Sequence, residues 1–192
     1  MPSILKSDRI RLTAITNDDL PQYATWLSDF GLQRLVNPGM SMPHDADDYL
    51  KPDSWFQADL KNEKSRMFAI RTVQDDVFIG TCALINLNMF THCAEIGINL
   101  AHPDYRGKGY GGEIMELLMR YGFEQFNLNR INLGVMGFNK RALRLYERLG
   151  FKREVVEREI FFHDGSYFDG FLMGILRTEW EENHVYVTHQ RG

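Results

Sequence analysis

Apolar and polar residues alternate over residues 9–16, with Ile10, Leu12 and Ala14 on one face, which predicts a strand. Asn17-Asp18-Asp19 then opens a helix that tolerates Pro21 in its first turn and carries Leu20, Tyr23, Ala24 and Leu27 as an apolar stripe. Residues 30–66 hold no period, and Pro38-Gly39, Pro43 and Pro52 interrupt them, so short helices and loops are expected. Segments 67–73 and 77–87 are rich in Phe, Ile, Val and Thr and flank Asp75-Asp76, the pattern of a hairpin. A strand over 94–100 leads through a glycine-rich segment into a helix over 111–126, where Ile114, Leu117, Leu118 and Tyr121 recur at helical spacing. A strand over 130–135 precedes a helix over 139–149 that Gly150 stops. Two strands, 151–162 and 167–176, surround the turn sequence His163-Asp164-Gly165-Ser166. Residues 177–192 are polar and show no period that assigns them an element, so they read as a tail. Without repeats or linkers, this order predicts one mixed α/β domain over residues 1–192.

Composition narrows the class. The 192 residues are 44% hydrophobic and 25% charged, enough for a core without staples and too apolar for disorder. No apolar run reaches the ~18–20 residues that cross a bilayer, and Met1-Pro2-Ser3-Ile4-Leu5-Lys6 lacks the apolar stretch of a secretion signal. Only Cys82 and Cys93 are present, so a reducing, cytoplasmic setting is expected. The six histidines show no ligand spacing, and no metal is expected. Trp26, Tyr49, Trp55 and Phe56 read as core residues, one or two of which line a pocket.

Charge changes the picture more. The net charge of −4 argues against general nucleic-acid binding, yet residues 101–153 carry ten Lys and Arg against five Asp and Glu. A basic block inside an acidic chain suits an anionic cofactor and a cationic substrate; a solvated helix face is the plain alternative. The same two readings apply to the aspartates at 45, 47, 48 and 53.

Tyr105-Arg106-Gly107-Lys108-Gly109-Tyr110-Gly111-Gly112 is the strongest local signal, with an ordinary flexible strand–helix connection as the plain alternative. It follows a strand and opens a helix. Glycines admit a ligand close to the backbone, and the helix start offers free N–H groups and partial positive charge. Arg106 and Lys108 add full charges, which together suit a pyrophosphate. No Gly-Lys-Ser/Thr follows, and the glycine spacing differs from the dinucleotide fingerprint.

Arg106-Gly107-Lys108-Gly109-Tyr110-Gly111 resembles the acyl-CoA signature of the GNAT acetyltransferase superfamily. Asn139-Lys140-Arg141-Ala142-Leu143-Arg144-Leu145-Tyr146-Glu147-Arg148-Leu149-Gly150-Phe151 is similar to that superfamily's second motif. Arg9-Ile10-Arg11-Leu12, and the ending from Asp164 to Asp169 and from Leu176 to Trp180, resemble its RimJ/RimL branch. The resemblance implies a central mixed, mostly antiparallel sheet with helices on both faces, acetyl-CoA as co-substrate, and a homodimer as a possible assembly. It implies that backbone groups of Ile98, Asn99 and Leu100 pair with pantetheine where the strand splays, and that backbone N–H groups near Leu100 form an oxyanion hole. Arg106, Gly107, Lys108, Gly109, Tyr110, Gly111 and Asn139 are its cofactor-binding positions; Lys140, Arg141 and Arg144 are candidates for the phosphates, against the alternative of solvated helix charges. Asn139 also reads independently as a helix N-cap.

The implied chemistry moves an acetyl group to an amine, which must be neutral to attack although alkyl amines have pKa values near 10.4. Glu95, eleven residues before Arg106, is the candidate base, acting directly or through water; a surface glutamate is the alternative. Tyr146 is the candidate acid for the departing thiolate, against the alternative of a packing residue. The acceptor is a protein N-terminus, as in the RimJ/RimL branch, or a small cationic amine such as a polyamine or aminoglycoside. A non-catalytic acyl-CoA-binding sensor is the rival of another class.

Overall fold

The structure, a computed structural model, describes residues 5–36, 46–51 and 53–189. The expectations for residues 1–4, Pro38-Gly39, Pro43, Asp45 and Pro52, and for the side chains of Trp55 and Phe56, lie outside that set.

A seven-stranded sheet organises the chain: β1 (Ile10–Thr13), β2 (Arg66–Thr72), β3 (Phe78–Asn88), β4 (Cys93–Asn99), β5 (Arg130–Met136), β6 (Lys152–His163) and β7 (Ser166–Leu176). Their spatial order is β1-β2-β3-β4-β5-β7-β6. Every neighbouring pair is antiparallel except β4 and β5, which are parallel. The helices are α1 (Leu20–Leu27), α2 (Phe30–Val36), α3 (Ala46–Leu50), α4 (Trp55–Lys61), α5 (Tyr110–Arg120), α6 (Lys140–Arg148) and α7 (Arg177–His189). A parallel neighbour needs a crossover, and α5 supplies it between β4 and β5.

The period-two pattern sorts side chains into two apolar layers, one on each sheet face. Ile70, Cys82, Leu84, Ile96, Ile131 and Met173 pack with α5, Leu143 of α6 and Trp180 of α7. Ala69 and Phe78 pack on the other face with Leu20, Tyr23 and Trp26 of α1, Leu32 of α2 and Tyr49 of α3. Trp26 and Tyr49 are therefore core residues, as expected.

Three elements differ from the sequence expectation. The first strand pairs over only four residues, because β1 is an edge strand whose chain turns away after Thr13. The helix expected over 111–126 is α-helical to Arg120 and finishes in a π-helical turn over Tyr121–Gln125. There Gly122 lies so close to Ile131 that a Cβ would stand 3.0 Å from its Cδ1. The expected polar tail begins as a helix. Trp180 is 7% exposed and lies 5.0 Å from the Phe123 ring, while Arg177 donates to the Leu128 carbonyl at 3.0 Å and to the Phe123 carbonyl. These anchors are single residues without period, so pattern alone does not find the helix.

Candidate active site

The central feature is a parting of strands. The β4–β5 register runs Cys93↔Arg130, Ala94↔Ile131, Glu95↔Asn132 and goes no further. Beyond it, β4 stays paired with β3 through Thr81↔Asn99, and β5 with β7 through Met136↔Gly170. The two central strands therefore diverge from Glu95 onward. Gly80 makes the outer end of β4 possible: a Cβ there would meet the Asn99 carbonyl oxygen at 2.1 Å.

A cleft of about 440 Å³ opens at this end, lined by Ile98 from β4, Leu100 just after it, and Arg106, Gly107, Gly109 and Gly111 from the glycine-rich loop. Asn139, Arg141 and Tyr146 complete the expected set that lines it. Gly107 and Gly109 have φ of +82° and +87°, left-handed conformations that side chains adopt at a cost, which explains two of the glycines. Gly111 is needed for packing, since its Cβ would lie 3.3 Å from Leu145 Cδ2. Gly109 is the N-cap of α5, so the free N–H groups of the helix start at the cleft wall. The Arg141 guanidinium comes within 3.9 Å of the position a Gly107 Cβ would take, which brings a fixed cation beside those donors.

The Asn139 side chain accepts from the Ala142 N–H at 3.1 Å and caps α6, as its place in the motif predicts. The cap sets the helix start so that Arg141, Leu145 and Arg148, spaced by four and three residues, all reach the cleft. Tyr146 is half-buried there, and loss of hydration pushes its phenol up to about 12. The hydroxyl is thus a proton donor, not an anion, throughout the physiological range.

Other expected residues are placed differently. The Arg106 guanidinium turns inward, donating to the Leu100 carbonyl at 3.1 Å and to the Ala101 carbonyl. It ties the loop to the end of β4 instead of projecting a charge. Arg144 joins Arg141, Glu147 and Arg148 around a second, adjoining groove on the outer face of α6. Lys108 and Lys140 are exposed, and Asn99 and Tyr110 do not line the cleft among the described residues. The Asn99 Oδ1 is buried without a hydrogen-bond partner. Glu95 is exposed at the apex of the divergence, accepts from Asn86 Nδ2 at 3.0 Å, and is not a lining residue of the cleft. Strand alternation puts it on the opposite face from Ile96 and Ile98, about 10 Å of chain from Ile98 at ~3.3 Å per residue.

The reading from sequence missed Leu32 and Leu35, which form a wall of the cleft, and Leu145 and Arg148. Helical spacing from Arg141 identifies the last two. Nothing local marks Leu32 and Leu35, since they reach the cleft only through the packing of α2.

A diverging parallel strand pair, a glycine-rich helix start and a half-buried tyrosine on the next helix coincide in the chain region that a family profile described as acetyltransferase (GNAT) domain matches, residues 9–152. The chain belongs to the GNAT acetyltransferase family. It is 30% identical over 68% of its length to the SPbeta prophage-derived uncharacterized N-acetyltransferase YokL of Bacillus subtilis, covering 72% of that protein. It is 31% identical to the spermidine N(1)-acetyltransferase of Vibrio cholerae over 72% of this chain and 78% of that one. The crystal structure of spermidine N-acetyltransferase from Vibrio cholerae in complex with CoA and spermine superposes with a TM-score of 0.80 at 26% identity, covering 91% of this chain and 99% of that one. The GNAT protein described here is an N-acetyltransferase that moves an acetyl group from acetyl-CoA to an amine. Among its described residues, no group of His, Cys, Asp and Glu is arranged to hold a metal, and no helix is long and apolar enough to cross a membrane.

Proposed function

We propose that the acceptor is a small cationic amine of the polyamine class and that Tyr146 protonates the departing sulfur. The observation that carries the acceptor class is the likeness, across nearly the whole of its chain, to a spermidine N-acetyltransferase crystallised with CoA and spermine. The charge distribution supports it: outside the basic segment 101–153 the chain is acidic on both sides. The described residues of the cleft include no carboxylate, which suits the neutral amine that must attack. The cationic remainder of the acceptor is left to the acidic segments outside it. The setting is cytoplasmic.

Acetyl-CoA supplies a thioester-activated acetyl group. Gly107, Gly109, Gly111 and the start of α5 hold its pyrophosphate, with Lys108 and Arg141 adding charge. Arg144 and Arg148 serve the phosphates from the adjoining groove. Arg106 and Tyr110 shape the loop. Ile98 and Asn99 at the free edge of β4, with Leu100 just beyond it, present backbone groups to the pantetheine, and backbone N–H groups near Leu100 stabilise the oxyanion. The amine nitrogen bonds to the acetyl carbon, pushing the carbonyl electron pair onto oxygen, and the return of that pair breaks the carbon–sulfur bond. Tyr146 gives its proton to the sulfur and recovers one from solvent. The excess proton on nitrogen leaves through water, with Glu95 at the strand apex as its acceptor. Exposed Val156, Ile160, Phe162 and Tyr167 on the β6–β7 hairpin support self-association, and a related spermidine N-acetyltransferase from Vibrio cholerae is dodecameric.

The test is CoA release with spermidine, spermine, an aminoglycoside and short peptides, with product masses confirmed. Acetylated spermidine is the expected product. Acetylation of peptide N-termini alone would overturn the acceptor class. Silence across the panel with acetyl-CoA binding intact would favour a non-catalytic sensor.

A further inference from the structure

Arg9 lies just before β1, far in sequence from the glycine-rich loop, yet its guanidinium is directed at that loop. Nη1 donates to the Lys108 carbonyl at 3.1 Å, and Nε donates to Glu113 Oε1 at 2.5 Å. The guanidinium carbon sits 4.4 Å from the centre of the Tyr110 ring, and Nη2 lies 3.3 Å from where a Gly109 Cβ would be. Ser7 closes the far side, donating to Glu113 Oε2 at 2.9 Å. Its own hydroxyl is held by the Ile10 N–H at 3.2 Å, so the group is mounted on a tight turn at the sheet edge.

Two physical consequences follow. In a trans peptide the carbonyl and the next N–H point in opposite directions. Holding the Lys108 oxygen toward Arg9 therefore aims the Gly109 N–H away from Arg9. Glu113 stands in the first turn of α5, where its charge is favoured by the helix dipole and opposes any second anion at the same helix start. Arg9 cancels that charge.

We propose that Arg9 is a positioning residue for the pyrophosphate loop, holding the Lys108–Gly109 peptide in its anion-binding orientation and neutralising Glu113. It touches neither CoA nor the acceptor. The proposal rests on the reading of Gly107 to Gly111 as the pyrophosphate site. It predicts a defect confined to phosphate-bearing donors.

The experiment compares acetyl-CoA with S-acetylpantetheine, which carries the same thioester without phosphates, in the wild type, Arg9→Gln, Arg9→Lys, Glu113→Gln and the double variant Arg9→Gln/Glu113→Gln. Arg9→Gln should raise KM for acetyl-CoA about 10- to 30-fold with kcat within about twofold, the scale of one charge-assisted contact. Its turnover of S-acetylpantetheine should match the wild type. The double variant should regain a large part of the acetyl-CoA affinity, because the uncompensated carboxylate is gone. Arg9→Lys keeps the charge but lacks the fork that bridges two partners, and should fall between; it carries the test if Arg9→Gln does not fold. Unchanged acetyl-CoA KM in Arg9→Gln, or an equal loss with both donors, would overturn the clamp. A wild type that does not distinguish the two donors would overturn the pyrophosphate reading itself.

Discussion

The side of the cleft proposed for the cofactor and the wall proposed for the acceptor are built on different scales. The cofactor side uses β4, α5 and α6, of seven, eleven and nine residues, all packed into the larger apolar layer. Its chemistry comes from backbone geometry at two short contiguous segments. The acceptor wall uses α2, a seven-residue helix that contributes Leu32 and Leu35. Arg34 of α2 pairs with Asp164 at the β6–β7 turn, 130 residues away, at 2.6 Å. On this proposal the first region answers to a group every acyl-CoA carries, so local geometry suffices, whereas the second answers to the acceptor and depends on distant elements meeting. Substitutions should therefore separate: cofactor-side changes alter acetyl-CoA kinetics with every acceptor, and wall changes alter acceptor kinetics alone.

The largest expected effect falls on Tyr146. Tyr146→Phe should lower kcat by roughly 10²–10⁴-fold, the range of general acid–base catalysis, with acetyl-CoA affinity measured by calorimetry nearly unchanged. An intact kcat in an assay limited by chemistry would remove Tyr146 from the mechanism. Because the phenol is raised to about 12, kcat/KM should climb with pH as the amine deprotonates. It should show no falling limb below about pH 10. A fall near pH 8–9 would assign the acid to another group.

Gly109→Ala comes next. A left-handed alanine costs roughly 1–2 kcal/mol, and its methyl would press on Arg9 Nη2 at 3.3 Å. KM for acetyl-CoA should rise about tenfold, at tenfold per about 1.4 kcal/mol, whichever acceptor is used. Glu95→Gln should cost less than about tenfold in kcat, since a carboxylate acting through water at the strand apex contributes less than direct contact. A loss matching that of Tyr146→Phe would put Glu95 in direct contact with the amine. The smallest effect belongs to Arg34→Ala. Exposed ion pairs contribute about 0–1 kcal/mol, so acceptor KM should rise about two- to fivefold with acetyl-CoA KM unchanged. A shift in acetyl-CoA KM instead would merge the two regions into one.

Local pattern and motif chemistry determined a great deal here. The alternating strands, the capped helix after Asn139, the left-handed glycines and the tyrosine all depend on residues within a few positions of one another, and sequence spacing carries that information directly. The position of Glu95 at the strand apex, the helix anchored by Trp180 and the wall made by Leu32 and Leu35 were decided only by tertiary packing. Each depends on partners tens of residues away, and no short window of sequence contains both members of such a contact.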